Sequence, residues 1–201
     1  KIMEKPKNPP TNLAVTGIYL LTPTIFDIID RLKPSWRNEY EITDALQMLL
    51  EEGHKIVYDM VTDYWKDTGT PNDIIEANRI ILENMTESFQ GKKEENVILK
   101  GKVTVGEGTI IKNGVKILGP IIIGKNCIIE NGTIVGENTS IGDDTYLSRC
   151  TISNSIIMSN CNIEGKLQIN NSIIASHSKI IQKQNNDNKS FLLGEGTQIS
   201  M

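Results

Sequence analysis

Val105-Gly106-Glu107-Gly108-Thr109-Ile110-Ile111-Lys112-Asn113-Gly114-Val115-Lys116-Ile117 places an aliphatic residue at positions 105, 111 and 117. Read outward, the spacing of six holds without a miss through Leu99, Val105, Ile111, Ile117, Ile123, Ile129, Val135, Ile141 and Leu147. Four of these are followed by Gly, at 106, 124, 136 and 142. Four positions on, the residue is often small or β-branched, as at Thr109, Val115, Cys127, Thr133, Thr139, Thr145 and Thr151. An α-helix would scatter such a row around its circumference, since six residues turn it through about 600°. A hexad repeat is instead the signature of a parallel β-helix, in which each hexad makes one short strand and a turn and three faces close a coil. The aliphatic residue points into a narrow axis, and Gly relieves crowding at the corners. The phase slips after Leu147 and resumes through Ile157, Ile163 and Ile169, then at Ile174 and Ile180.

Composition divides the chain at the edge of the repeat. Residues 97–181 hold 20 Ile against 4 Leu, no Phe, no Trp and a single Tyr, Tyr146. Residues 1–96 hold both Trp and six of the seven Pro. Rings do not fit a narrow axis, whereas β-branched Ile and Val suit a stacked, pleated surface. Two architectures therefore meet near residue 90. One covers residues 1–89 and the other 97–201, joined by the charged segment 90–95, read as a solvated linker.

Other functions are set aside by composition. With 38% hydrophobic and 23% charged residues the chain can bury a core. A net charge of −4 argues against a nucleic-acid partner. No apolar run approaches the roughly 18 residues of a membrane span, and no signal-peptide pattern opens the chain, so neither a membrane nor a secretory route is expected. Cys127, Cys150 and Cys161 form no C-x-x-C pair, which reads as small buried residues in a reducing cytoplasm.

The first 85 residues read as alternating strands and helices. The run 14–21 (Ala-Val-Thr-Gly-Ile-Tyr-Leu-Leu) predicts a buried strand, and His54 to Val61 a looser one. Thr22-Pro23 predicts a helix start, with Ile25, Phe26, Ile28, Ile29 and Leu32 as its stripe. Asn38 and Glu41 form a capping-box-like pair before Ile42, Ala45, Leu46, Leu49 and Leu50, with Gly53 placed to end that helix. Thr70-Pro71-Asn72-Asp73 opens a third helix, predicted to turn Ile74, Ala77, Ile81 and Met85 to one side. Two or three strands with three helices are too few to cover a parallel sheet on both faces, so these residues are expected to be the tail of a larger α/β domain.

Glu4-Lys5-Pro6, then Val15-Thr16-Gly17-Ile18-Tyr19, then Glu39-Tyr40-Glu41-Ile42-Thr43-Asp44, then Trp65-Lys66-Asp67-Thr68-Gly69-Thr70-Pro71 resemble the second half of the sugar-1-phosphate nucleotidyltransferases. The likeness covers essentially the whole chain and is nearest to the long type of glucose-1-phosphate thymidylyltransferase, which carries a C-terminal β-helix. Phe191-Leu192-Leu193-Gly194-Glu195 also looks like that type. The family's Gly-rich nucleotide loop and its first metal-binding Asp are absent from this sequence. The resemblance implies a partial Rossmann-like α/β domain followed by a left-handed parallel β-helix, although the general crossover rule favours right-handed connections.

What the resemblance implies for chemistry is nucleotidyl transfer, in which glucose 1-phosphate and dTTP or UTP give dTDP-glucose or UDP-glucose and pyrophosphate. It assigns Asp67 to Mg²⁺, Lys5 to the sugar's phosphate, Glu4 to the sugar hydroxyls and Val15 to the sugar pocket, and assigns no catalytic nucleophile. Asp67 lies just before a helix N-terminus, which favours phosphate, and Mg²⁺ binds through one or two carboxylates plus substrate phosphates. On the residues alone, Asp67 is a turn aspartate and Glu4-Lys5 an exposed ion pair. Tyr19 and Trp65 frame the pocket or, as ordinary aromatics, pack into the core. With the nucleotide loop missing, this 201-residue chain is expected to have no turnover by itself.

The competing reading is a hexapeptide-repeat acyltransferase acting on an amino sugar phosphate, with His177 as base. His177 has no evident orienting carboxylate in sequence and reads on its residues as a solvent-exposed turn histidine. A third reading makes the β-helix an assembly and regulatory module. Outward-tending Ile110, Ile122, Ile128 and Ile134 offer surface for a homo-oligomer. The segment 182–190 reads as a polar loop.

Overall fold

The computed structural model describes residues 1–182, 188–189, 192–193 and 198–200. Two compact units divide the chain, Lys1–Trp65 and Lys66–Met201. Of the Phe191–Glu195 motif and the 182–190 loop, residues 183–187, 190–191 and 194–195 lie outside the described residues.

The hexads build three parallel sheets of seven, seven and six strands, in which each strand pairs with the third strand before it and the third after it. Inward residues stack in three columns. Val105, Ile123, Ile141, Ile157 and Ile174 share the first sheet. Ile111, Ile129, Leu147, Ile163 and Ile180 share the second. Leu99, Ile117, Val135, Ile152 and Ile169 share the third. All but Leu99 are buried, and Leu99 is half-buried against the same core. Burial of each side chain stabilises by about 1.5–3 kcal/mol, and the backbone of every coil is satisfied by the next. The sheets form the left-handed parallel β-helix expected to follow an α/β segment. Tyr146, the one aromatic of residues 97–181, stands outward beside Ile128.

Corners obey two rules. Gly106, Gly124 and Gly142 form one column in which backbone meets backbone: a methyl on Gly106 would lie 2.7 Å from the Gly124 carbonyl carbon. A second corner position takes a left-handed residue just before the inward small residue. Asn126, Asn138, Asp144, Arg149, Asn154, Asn160, Asn171 and His177 all have φ between 44° and 60° there. The slip after Leu147 is a shortening of the coil. Ile110 pairs with Ile128 and Lys116 with Ile134, 18 residues on. Ile134 then pairs with Thr151 at 17, and Tyr146 with Asn162 at 16.

The coils begin earlier than the sequence suggests. Ser88–Phe89 and Lys92–Lys93 are strands, so the 90–95 segment is not a free linker. Its charges do not oppose a strand because Lys92 and Lys93 are both exposed, and Glu94 pairs with Lys112 at 3.0 Å. Its backbone donates to the next coil, from Lys92 N to Thr109 O at 2.7 Å and from Glu94 N to Ile111 O at 2.9 Å.

The first unit packs two helices, α1 (Thr24–Ile29) and α2 (Ile42–Glu51), through Ile25, Ile28, Ala45, Leu46 and Leu49. Phe26 and Ile29, counted in the α1 stripe, are exposed. The strands predicted at 14–21 and 54–61 do not form, and Ile18, Leu20, Val57 and Tyr58 stand exposed. A strand requires neighbours for its backbone groups, and these segments have none among the described residues. Asn38 does not cap α2: it adopts φ 60° in a turn, and Glu41 takes the N-cap place. Gly53 does end α2 (φ 84°), with Gly53 N donating to Leu50 O and His54 N to Leu49 O, a Schellman pair.

The second unit opens with α3 (Pro71–Asn84), which starts where Thr70-Pro71-Asn72-Asp73 predicts and is closed there by a Thr70/Asp73 capping box. Its buried face carries Ile75 and Leu82, while Ile74 and Ile81, of the stripe expected with Ala77 and Met85, are exposed. The correction comes from what α3 meets, since Asn78, midway between those two, bonds to the β-helix. Among the described residues, no helix is long and apolar enough to cross a membrane.

Candidate functional site

In the first unit the candidate chemistry gathers around Glu4. The turn 35–39 closes through Ser35 N to Glu39 O at 2.8 Å and Asn38 N to Ser35 O at 2.9 Å, which brings Arg37 back toward the start of α2. Arg37 Nη1 lies 3.5 Å from Glu4 Oε1 and 3.2 Å from Glu41 Oε1, and Nη2 lies 3.0 Å from Glu39 Oε2. Thr43, in the first turn of α2, donates its hydroxyl to Glu4 Oε2 at 2.8 Å, and Ser35 Oγ donates to Glu41 at 3.1 Å. Each Glu4 oxygen thus has one partner, which leaves lone pairs open to a further donor such as a hydroxyl.

The neighbouring candidates are less engaged. Lys5 is exposed, with a left-handed backbone at φ 36°. Val15 is exposed as well. Tyr19 packs half-buried on the α1–α2 core, whereas Trp65 is exposed. Neither Arg37 nor Thr43 is given a role by the sequence. Only the backbone turn at Asn38 makes Arg37 a partner of Glu4, and no local pattern announces that turn.

Asp67 belongs to the second unit, in the loop that feeds α3. Asp73 N donates to Thr70 Oγ1 at 3.3 Å, while Thr70 N and Oγ1 donate to Asp73 Oδ2 at 3.1 and 2.7 Å. Lys66 Nζ closes on Asp73 Oδ1 at 2.7 Å. Hydrogen bonds from Lys66, then from Thr70, hold the Asp73 carboxyl below the usual range. The N-terminus of α3 therefore already faces a carboxylate of its own, and Asp67 remains exposed beside Gly69. Among the described residues no group of three His, Cys, Asp or Glu gathers to hold a metal. A lone carboxylate fits Mg²⁺ only where substrate phosphates and water complete its shell.

His177 is exposed at a left-handed corner of the β-helix, its backbone N–H donating to Ser159 O at 3.1 Å. The three cysteines are free and buried.

Residues 1–84 match the family model of the nucleotidyl transferases, and residues 117–201 that of the GMPPB C-terminal domain. The chain resembles nucleotidyltransferases in its first part and along most of its length. It is 35% identical to a glucose-1-phosphate thymidylyltransferase of Streptomyces antibioticus, over 98% of this chain and 55% of that protein. It is 36% identical to the low-salt glycan biosynthesis nucleotidyltransferase Agl11 of Haloferax volcanii, over 100% of this chain and 57% of that one. To the bifunctional protein GlmU of Methanocaldococcus jannaschii it is 38% identical, over 88% of this chain and 43% of that protein. The chain spans about half the length of these curated relatives.

Proposed function

We propose that this chain is the C-terminal part of an enzyme that makes a nucleoside-diphosphate glucose from glucose 1-phosphate and dTTP or UTP, working in the cytoplasm. The observation that carries the reading is the alignment with a glucose-1-phosphate thymidylyltransferase along 98% of the chain. A phosphate oxygen of the sugar attacks the α-phosphorus in line, the bond from that phosphorus to the β-phosphate oxygen breaks, and pyrophosphate leaves. Glu4, braced by Arg37 and Thr43, accepts from sugar hydroxyls, Lys5 meets the sugar phosphate as a point charge, and Val15 lines the pocket. Asp67 is a ligand for Mg²⁺, which when bound offsets charge on the phosphates. The remaining parts of the site lie outside these residues, and the β-helix serves assembly into a homo-oligomer and regulation. The test is pyrophosphate release by the parent polypeptide with glucose 1-phosphate and each nucleotide. Turnover that Asp67→Asn largely removes is expected, with none from the 201-residue chain alone. A parent inactive with both nucleotides sinks the proposal.

Similarity to a bifunctional sugar-1-phosphate nucleotidylyltransferase/acetyltransferase of Sulfurisphaera tokodaii supports a second reading, an added acetyl transfer to an amino sugar phosphate at the β-helix. Thiol release from acetyl-CoA with glucosamine 1-phosphate, abolished by His177→Ala, would establish it.

A further inference from the structure

Helix α3 belongs to two bodies at once. By sequence it lies within the 1–84 match to the nucleotidyl transferases, and by packing it joins the β-helix, beyond the division at Trp65. The face turned to the coils carries Ile75, Asn78 and Leu82, of which Ile75 and Leu82 are buried. Asn78 between them is held at both ends of its amide. Its Nδ2 donates to the Asn138 carbonyl at 3.1 Å, and its Oδ1 accepts from Ser140 Oγ at 2.5 Å. Asn138 sits at a left-handed corner, and Ser140 is the outward residue of strand Thr139–Ile141. At the far end of α3, Lys102 Nζ donates to the Glu83 carbonyl at 2.6 Å, and Thr104 Oγ1 donates to the Thr86 carbonyl at 2.8 Å. At the near end the capping box and the Lys66–Asp73 pair tie the loop 66–70 to the first turn.

Apolar contact alone attracts a helix without fixing its register, whereas hydrogen bonds are directional. A slide of one residue moves α3 by about 1.5 Å and turns the amide by about 100°, which breaks both bonds of Asn78. We infer that the Asn78–Ser140 clamp positions the Asp67 loop, so that the β-helix sets the geometry of nucleotidyl transfer through α3. Asn78 and Ser140 are positioning residues. The inference rests on the role proposed above for Asp67.

Two measurements test it. In the 201-residue chain, Ser140→Ala and Asn78→Ala speed hydrogen exchange across residues 66–73 by about tenfold, while the amides of Ile111 and Ile129 keep their protection. Ser140→Thr retains the hydroxyl and restores slow exchange. In the parent polypeptide, Ser140→Ala lowers kcat about tenfold with KM for the sugar 1-phosphate within about twofold, and Ser140→Thr recovers kcat. Unchanged exchange at 66–73, or an active parent whose kcat ignores Ser140→Ala, overturns the inference. A wild-type parent without nucleotidyl transfer overturns the functional reading instead, a result told apart because exchange at 66–73 still answers to Ser140→Ala.

Discussion

Thr109 and Cys127, one coil apart, close their corner through a shared hydroxyl: Cys127 N donates to Thr109 Oγ1 at 2.9 Å, and that hydroxyl donates to Gly124 O at 2.7 Å. The arrangement recurs where Cys161 N meets Thr145 Oγ1 at 3.3 Å and Ser172 N meets Ser155 Oγ at 3.1 Å. The inward small residues therefore satisfy backbone groups as well as fill space. Thr109→Val keeps the shape but orphans both groups, and is expected to destabilise the chain by about 1–3 kcal/mol. Thr109→Ser should stay near wild type. Urea midpoints measure the difference, and equal midpoints for Val and Thr would refute the role of the hydroxyl.

The glycine column predicts a second contrast. An added methyl at Gly106 meets the Gly124 carbonyl at 2.7 Å and Lys125 N at 2.8 Å, all backbone that cannot retract without spreading the coils. Gly106→Ala should cost about 1–3 kcal/mol. At Gly69 the nearest atom would be Asp67 Oδ1 at 3.8 Å, an ordinary contact, so Gly69→Ala should leave the thermal midpoint almost unchanged.

Arg37 is the sole cation contacting Glu4 and Glu41 among the described residues. Arg37→Met leaves both carboxylates in a half-buried pocket without it, at a cost of about 1–2 kcal/mol. That is well below the roughly 3–5 of a fully buried pair, because the partners keep part of their surface in water. Arg37→Lys should recover only part, since one ammonium cannot serve both as a fork does. In the parent polypeptide, a raised KM for the sugar 1-phosphate is expected for Arg37→Met. An unaltered KM would separate Arg37 from the sugar site.

Burial pushes the Cys150 thiol up to about 12, and raises Cys127 and Cys161 as well. At pH 8 the thiolate fraction of Cys150 is about a thousandfold smaller than that of a free thiol. Native protein should resist thiol reagents there, and urea should release three reactive thiols. Because the native thiol holds its proton where the unfolded one loses it, stability falls as pH rises above the ordinary value of 9.0 and keeps falling toward 12. Urea midpoints at pH 8 and 10 read the sign. A higher midpoint at pH 10 in wild type but not in Cys150→Ala would contradict it.

The repeat is legible in the sequence because each inward position sees the same environment, so Ile and Val recur at 105, 111, 117 and 123 whatever else changes. Corners were only half legible. Glycines after the aliphatic residue mark one kind, but the left-handed kind takes Asn, Asp, Arg149 and His177, a set too varied to stand out. In the first unit, residues 14–21 have the composition of a strand, and composition cannot supply the neighbouring strands that a backbone needs. The inward face of α3 escaped for another reason. Its central residue is a polar amide, and hydrophobic periodicity passes over an interface held by hydrogen bonds. Of the candidate residues, Glu4 and Asp67 are picked out only by the resemblance, while Arg37 and Asn78 depend on partners 33 and 62 residues away.

The shortened coils bear on how such a chain changes its length. Between Ile134 and Thr151 the circuit loses one residue relative to the coils before it, and between Tyr146 and Asn162 it loses two. Yet Ile152 still sits on Val135, and Ile163 on Leu147. Alignment along the axis is enforced by the backbone ladder, and the corner absorbs the difference. Deletions at a bend therefore stay local, whereas the same deletion inside a strand would turn inward residues out. The β-helix is thus a scaffold in which length can drift at the bends while the interior stays in phase.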